Sequence, residues 1–131
     1  MNKRKSKKAT IAARESDVPP EQQPPLFSLR YLEKEYSLSN CNKDEKAAFA
    51  DTLHRLSQLS CREIKLSHRH GLGYEKIGKN VIRAPIPSHV DEGTNLIAFR
   101  FCGKAPMVCY RIGAVFYIIW LDRDFTLYPH S

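Results

Sequence analysis

The sequence predicts an α+β fold, an antiparallel β-meander sheet packed against one or two helices that precede it. Three observations carry this prediction. The last third holds successive segments rich in Val, Ile, Phe, Tyr and Trp, spaced too closely for helical crossovers between them. A stretch upstream has two helix-start signals and an apolar helical face. The first 25 residues are basic and then proline-rich, with few large apolar side chains.

Residues 1–25 are expected to form a disordered tail, and residues 26–131 the folded domain. The tail opens on Lys3-Arg4-Lys5-Ser6-Lys7-Lys8 and closes on Val18-Pro19-Pro20-Glu21-Gln22-Gln23-Pro24-Pro25. Such a segment buries too little surface to offset its ordering entropy. Leu26 to Leu32 reads as the first strand, because Phe27, Leu29 and Tyr31 alternate with Ser28 and Arg30. Asn42 and Glu45 form a capping box for a helix to residue 59, with Phe49, Leu53, Leu56 and Leu59 on one face. Ser60 and Glu63 repeat the box for a short turn of helix through Ile64 or Leu66.

Residues 67–94 are punctuated by Gly71, Gly73, Gly78, Pro85 and Pro87, with Val81 to Ala84 as a candidate strand. So long a loop in a compact domain is either functional or a sign that its assignment as loop is incomplete. Four strands are then expected: Asn95 to Cys102, Met107 to Ile112, Ala114 to Leu121 and Phe125 to Tyr128. Turns at Gly103-Lys104, Ile112-Gly113 and Asp122-Arg123 separate them.

The formal charge of +7 is unevenly placed. Residues 1–14 carry +6, residues 15–53 carry −4, and residues 54–131 carry +5 together with all five histidines. A basic, histidine-bearing half beside an acidic one suits a polyanionic partner. The longest apolar run, Ile112 to Leu121, is far short of the roughly 20 residues a spanning helix needs, and no apolar signal-peptide segment follows the basic run. No membrane partner and a cytoplasmic location are therefore expected. Cys41, Cys61, Cys102 and Cys109 contain no C-x-x-C pair, so they read as small buried thiols. Cys102 and Cys109 are placed to face each other across a hairpin.

Two groups of residues suit RNA chemistry. The first lies on the final strands: Arg100, Arg111, Arg123 in a turn, Tyr128 and His130. Neighbouring strands lie about 4.8 Å apart, so side chains from three strands can converge over one nucleotide. Phosphodiester cleavage needs a base for the 2′-OH, cations for the transition state and an acid for the leaving oxygen. Arginine fits the phosphate, histidine serves as acid or base, and tyrosine stacks on a base or donates a proton. The second group is Lys65-Leu66-Ser67-His68-Arg69-His70-Gly71-Leu72-Gly73-Tyr74. Lys65, His68, Arg69 and His70 read as an RNA-facing loop. His68-x-His70 has no third ligand nearby, so neither a metal nor a cofactor is expected.

Leu96-Ile97-Ala98-Phe99-Arg100-Phe101, Met107-Val108-Cys109-Tyr110-Arg111, Val115-Phe116-Tyr117-Ile118-Ile119-Trp120-Leu121-Asp122-Arg123-Asp124 and Tyr128-Pro129-His130 together resemble the RelE/ParE toxin superfamily. In that family an arginine-bearing meander ends in an apolar strand, a polar turn and a C-terminal Tyr or His. The resemblance covers residues 26–130 in order of elements and 96–130 in motif. It implies a RelE-like fold and a toxin that, like RelE, YoeB and HigB, cleaves mRNA on the ribosome without metal, with an antitoxin wrapping its basic face. It also implies Arg100 and Arg111 as phosphate contacts, and Tyr128 or His130 at the leaving group. Two other functions fit the charge pattern or the fold: a non-catalytic nucleic-acid or ribosome-binding module, and a ParE-like toxin directed at gyrase.

Overall fold

The structure is a computed structural model that describes residues 18–68 and 71–130. It is an α+β fold with a five-stranded mixed sheet. The strands are β1 (Leu26–Ser28), β2 (Glu75–Ile77), β3 (Leu96–Cys102), β4 (Ala105–Ile112) and β5 (Val115–Leu121). The helices are α1 (Lys43–Leu56) and α2 (Cys61–Leu66), both between β1 and β2. Strand order is β1-β5-β4-β3-β2. β3 to β5 form an antiparallel meander as expected, β2 joins its edge antiparallel to β3, and β1 runs parallel to β5, so the sheet is not purely antiparallel. β1 and β5 are joined through both helices and the three intervening strands, so the long connection that a parallel neighbour needs is present.

Local chemistry sets the element ends. Asn42 and Ser60 each accept from the backbone N–H three residues on, and Glu45 and Glu63 accept from the caps in return. Gly103 and Gly113 sit at φ 58° and 61° in the two-residue connections of β3–β4 and β4–β5, a conformation that costs glycine little.

The sheet is buried on both faces. One face packs Ile97, Phe99, Phe101, Met107, Cys109, Phe116 and Ile118 against Phe49, Leu56, Cys61 and Ile64 of the helices. Of the predicted helix face, Phe49 and Leu56 are buried, and Leu53 and Leu59 are partly so. Thr52, which the apolar pattern passed over, is buried too and donates its hydroxyl to Phe101 O at 3.1 Å. Leu56→Ala should cost about 2 to 5 kcal/mol, as truncation of a fully buried leucine does. Urea unfolding checks this, and an unchanged midpoint would place α1 off the core.

The opposite face carries Leu96, Ala98, Val108, Tyr110, Ile119, Trp120, Leu127 and Tyr128. It is covered mainly by irregular chain: Tyr31 and Tyr36 from one loop, and Ile82, Ala84 and Val90 from the long segment after β2, with Ile77 of β2 beside them. That long loop is thus a structural cover. A bulge in β5 serves this face. Val108 pairs with Trp120 and Cys109 with Ile118, which leaves Ile119 as the extra residue. Ile119 and Trp120 therefore both enter the second cluster. The carbonyl of Ile119 accepts from Glu33 N at 2.8 Å, which ties the covering loop to the bulge.

Several expected elements differ. β1 ends at Ser28 rather than Leu32, where a turn begins. The strand of the middle segment is Glu75–Ile77, not Val81 to Ala84; Lys79–Val81 is a 3₁₀ turn. Phe125 to Tyr128 is not a strand, because the buried Asp122 carboxylate takes the Thr126 and Leu127 N–H groups at 2.9 and 3.0 Å. Cys102 pairs with Ala105, and Cys109 with Ile97, so the two cysteines do not face each other, and all four cysteines are free.

The expected tail is also shorter within the described residues. Pro20–Gln22 forms a 3₁₀ turn against α2, Pro25 is buried, and Gln23 O accepts from Cys61 N at 2.9 Å. Glu21 completes this docking through an ion pair with Arg111. The expected disorder and charge of residues 1–17 lie outside the described residues.

Candidate functional site

The C-terminal segment after β5 builds one side of an open cleft of about 500 Å³. β2 and the end of β3 build the other, and Arg100, Tyr128 and His130 all line it. Arg100 shares its sheet face with Leu96 and Ala98, because it follows them at even spacing along β3. Lys76 and Lys104 add two exposed ammonium groups at the rim. None of the ion pairs among the described residues uses Arg100, Lys76 or Lys104. The cleft also contains one carboxylate, Glu75.

Asp122 organises this wall. Its side chain is fully buried, yet it is satisfied by the two backbone donors and by His130 Nε2 at 3.4 Å. Its own N–H donates to Pro106 O at 2.9 Å, which anchors the turn to β4. These bonds hold Phe125 at φ 58°, a left-handed conformation that is rare for an aromatic residue and costs on the order of 1 to 3 kcal/mol. The result is a partly exposed Phe125 ring edge-on to His130, with centroids 5.2 Å apart. The Tyr128 ring lies 4.3 Å from that of His130. Leu127 O accepts from Arg83 N at 2.7 Å, so the covering loop also holds the segment.

Burial pushes the Tyr128 hydroxyl up to about 12, and the carboxylates of Glu75 and Asp122 act in the same direction, while Arg100 opposes them. The hydroxyl is thus a hydrogen-bond donor at neutral pH. The raised value favours the neutral phenol in the folded state relative to the unfolded chain, where the ordinary value is 10.0. The stability this provides is complete below pH 10 and is lost as pH rises from 10 towards 12. Tyr128→Phe should therefore lose less stability than wild type between pH 9 and pH 11.5 in urea unfolding. Equal losses would show that Tyr128 ionises like an exposed tyrosine.

The other expected site residues lie elsewhere. Arg111 is on the helix-facing side of β4, with its guanidinium 5.6 Å from the Phe116 ring centroid. It pairs with Glu21 and donates to Gly113 O at 2.6 Å. Arg100 and Arg111 therefore project from opposite faces of the sheet, and the expected four-residue cluster of Arg100, Arg111, Tyr128 and His130 does not form as a unit. Parity explains this: an odd register separation between paired strands places two side chains on opposite faces. Arg123 is held by Glu45 at 2.8 Å and Asp124 at 3.1 Å, beside a different cleft that contains Tyr36 and Arg83. Lys65 and His68 are exposed at the far end of α2 and just beyond it, and Arg69 and His70 lie outside the described residues.

Residue type alone did not single out Asp122, Lys76, Lys104 or Phe125. Asp122 read as a turn residue, and the signal of its role was its position directly after an apolar strand, followed by a histidine eight residues on. Among the described residues no three of His, Cys, Asp or Glu converge to hold a metal ion, and no helix is long and apolar enough to cross a membrane.

The fold and cleft define an α+β protein with a basic, aromatic-walled cleft at a sheet edge. No protein family, curated protein or solved structure matches the chain.

Proposed function

We propose that the cleft binds RNA and cleaves it, as a metal-independent endoribonuclease of the RelE type whose substrate is ribosome-associated mRNA. The observation that carries this reading is the convergence of Arg100, Tyr128 and a His130 held by buried Asp122 in one basic cleft. The order of elements supports it as well: a strand, two helices and an arginine-bearing meander, followed by a C-terminal Tyr and His.

The chemistry follows from the placement. The bond to Asp122 keeps a proton on His130 Nε2 and leaves Nδ1 to accept one. Nδ1 takes the 2′-OH proton as the 2′ oxygen attacks phosphorus. The bond from phosphorus to the 5′ oxygen then breaks, leaving a 2′,3′-cyclic phosphate. Tyr128 gives its proton to the departing 5′ oxygen; His130 then releases the proton it took to solvent and Tyr128 regains one from solvent, which restores both groups. Arg100 stabilises the charge on the non-bridging oxygens with its planar fork, and Lys104 and Lys76 hold the flanking phosphates. Phe125 offers a face on which a base can stack. In this reading the chain is the toxin of a toxin–antitoxin pair, and the antitoxin covers the cleft.

The test is to add the purified full-length chain to a translating system with a defined mRNA and to map the new ends. Cleavage that depends on translation, persists in chelator and yields 2′,3′-cyclic ends is expected. Intact mRNA, in the presence of measurable RNA binding, would replace the nuclease with a non-catalytic RNA-binding module.

A further inference from the structure

A second basic hollow of about 450 Å³ lies at the other end of the β2–β3 edge. Lys65 from α2 and Arg111 from β4 supply its cations, and Tyr74 and His89 supply ring surface. Lys76 lines this hollow and the catalytic cleft alike. The two are thus neighbours along one edge, joined by an exposed ammonium group. Ile97 lines the hollow and Arg100 the cleft, about 10 Å apart along β3 but on opposite faces of the sheet, so a path between them passes round the β2 edge, where Lys76 stands.

The chemistry of the hollow suits a nucleotide. His89 is fixed, with Nδ1 3.2 Å from Tyr110 Oη and its ring stacked on Tyr31 at 4.1 Å, so it presents a rigid wall. The Tyr74 hydroxyl is pushed above its ordinary range, chiefly by burial, and so stays a donor. Lys65 enters none of the ion pairs among the described residues, and Arg111 is bound through Glu21 of the docked N-terminal segment. Asp91 also lines the hollow and gives it one acidic group, but Oδ1 of Asp91 is committed to Gly93 N and the Thr94 hydroxyl.

We infer that this hollow is a second subsite on the same RNA path, which takes a nucleotide flanking the scissile phosphate and reaches the cleft across Lys76. The inference rests on the RNA reading of the cleft and specifies its substrate as an extended single strand, not an isolated dinucleotide or a duplex. Cations at both ends and at the junction track a backbone, and ring surfaces in both hollows accept unstacked bases.

The experiment measures fluorescence anisotropy of labelled uridine oligonucleotides of two, four and six residues with the full-length chain, at two salt concentrations. Wild type should bind the six-mer roughly tenfold tighter than the two-mer, the effect of one added charge-assisted phosphate contact. Lys65→Glu, an exposed substitution, should remove most of that gain, and its six-mer affinity should depend less steeply on salt. Arg100→Ala should weaken every length. A six-mer that wild type binds no better than a two-mer, or a length gain unchanged in Lys65→Glu, would overturn the second subsite. If, in that case, Arg100→Ala still weakens the two-mer, the cleft reading survives alone. If Arg100→Ala weakens nothing, the cleft reading fails as well.

Discussion

Arg100→Ala and His130→Ala should each slow mRNA cleavage by about 100-fold or more while leaving the circular dichroism spectrum unchanged. The magnitude follows from the role proposed for each. A preorganised cation that meets charge developing in the transition state is worth roughly 100-fold or more in rate. A positioned proton acceptor contributes a similar factor. Both side chains can be removed without opening the core, because Arg100 is only half-buried and His130 is exposed. Arg100→Lys is the informative companion: it keeps the charge but loses the fork, so its rate should lie between those of wild type and alanine. Folded Arg100→Ala and His130→Ala that cut at the wild-type rate would move the chemistry out of this cleft.

Asp122→Ala is expected to be the most damaging single change to the wall of the cleft. The carboxylate is fully buried and accepts from Thr126 N, Leu127 N and His130 Nε2. Alanine leaves two backbone donors without an acceptor at about 1 to 3 kcal/mol each, so a loss of about 3 kcal/mol or more is expected. In a domain of this size that corresponds to a fall in melting temperature of roughly 10 °C or more. The left-handed Phe125 would also lose the bonds that hold it, and both Tyr128 and His130 would lose their fixed positions. Asp122→Asn keeps one acceptor oxygen and should lie between the two in stability. Calorimetry measures the loss, and a melting temperature of Asp122→Ala within a degree of wild type would show that something else organises residues 122–130.

Local chemistry made the helices legible. The capping boxes at Asn42 and Ser60 are written in four-residue stretches and form as read. The apolar strands β3, β4 and β5 and their glycine turns were legible for the same reason, because period and turn chemistry act between near neighbours. β2 was missed because Glu-Lys-Ile carries no alternation to speak of, and becomes a strand only by pairing with Ala98, Ile97 and Leu96.

The sequence by itself determined the α+β class and the three central strands of the meander, and it nominated Arg100, Tyr128 and His130 as candidates. Which of those side chains meet was decided only in three dimensions. Arg100 and Arg111 look equivalent as strand arginines, yet strand register sends them to opposite faces of the sheet, where Arg111 meets Glu21. Phe125 to Tyr128 has the composition of a strand, yet a buried carboxylate captures its N–H groups and turns it into the wall of the cleft. In both cases the deciding partner is remote in sequence or hidden by burial, and the strength of a buried hydrogen bond or ion pair depends on surroundings that local residue pattern does not encode.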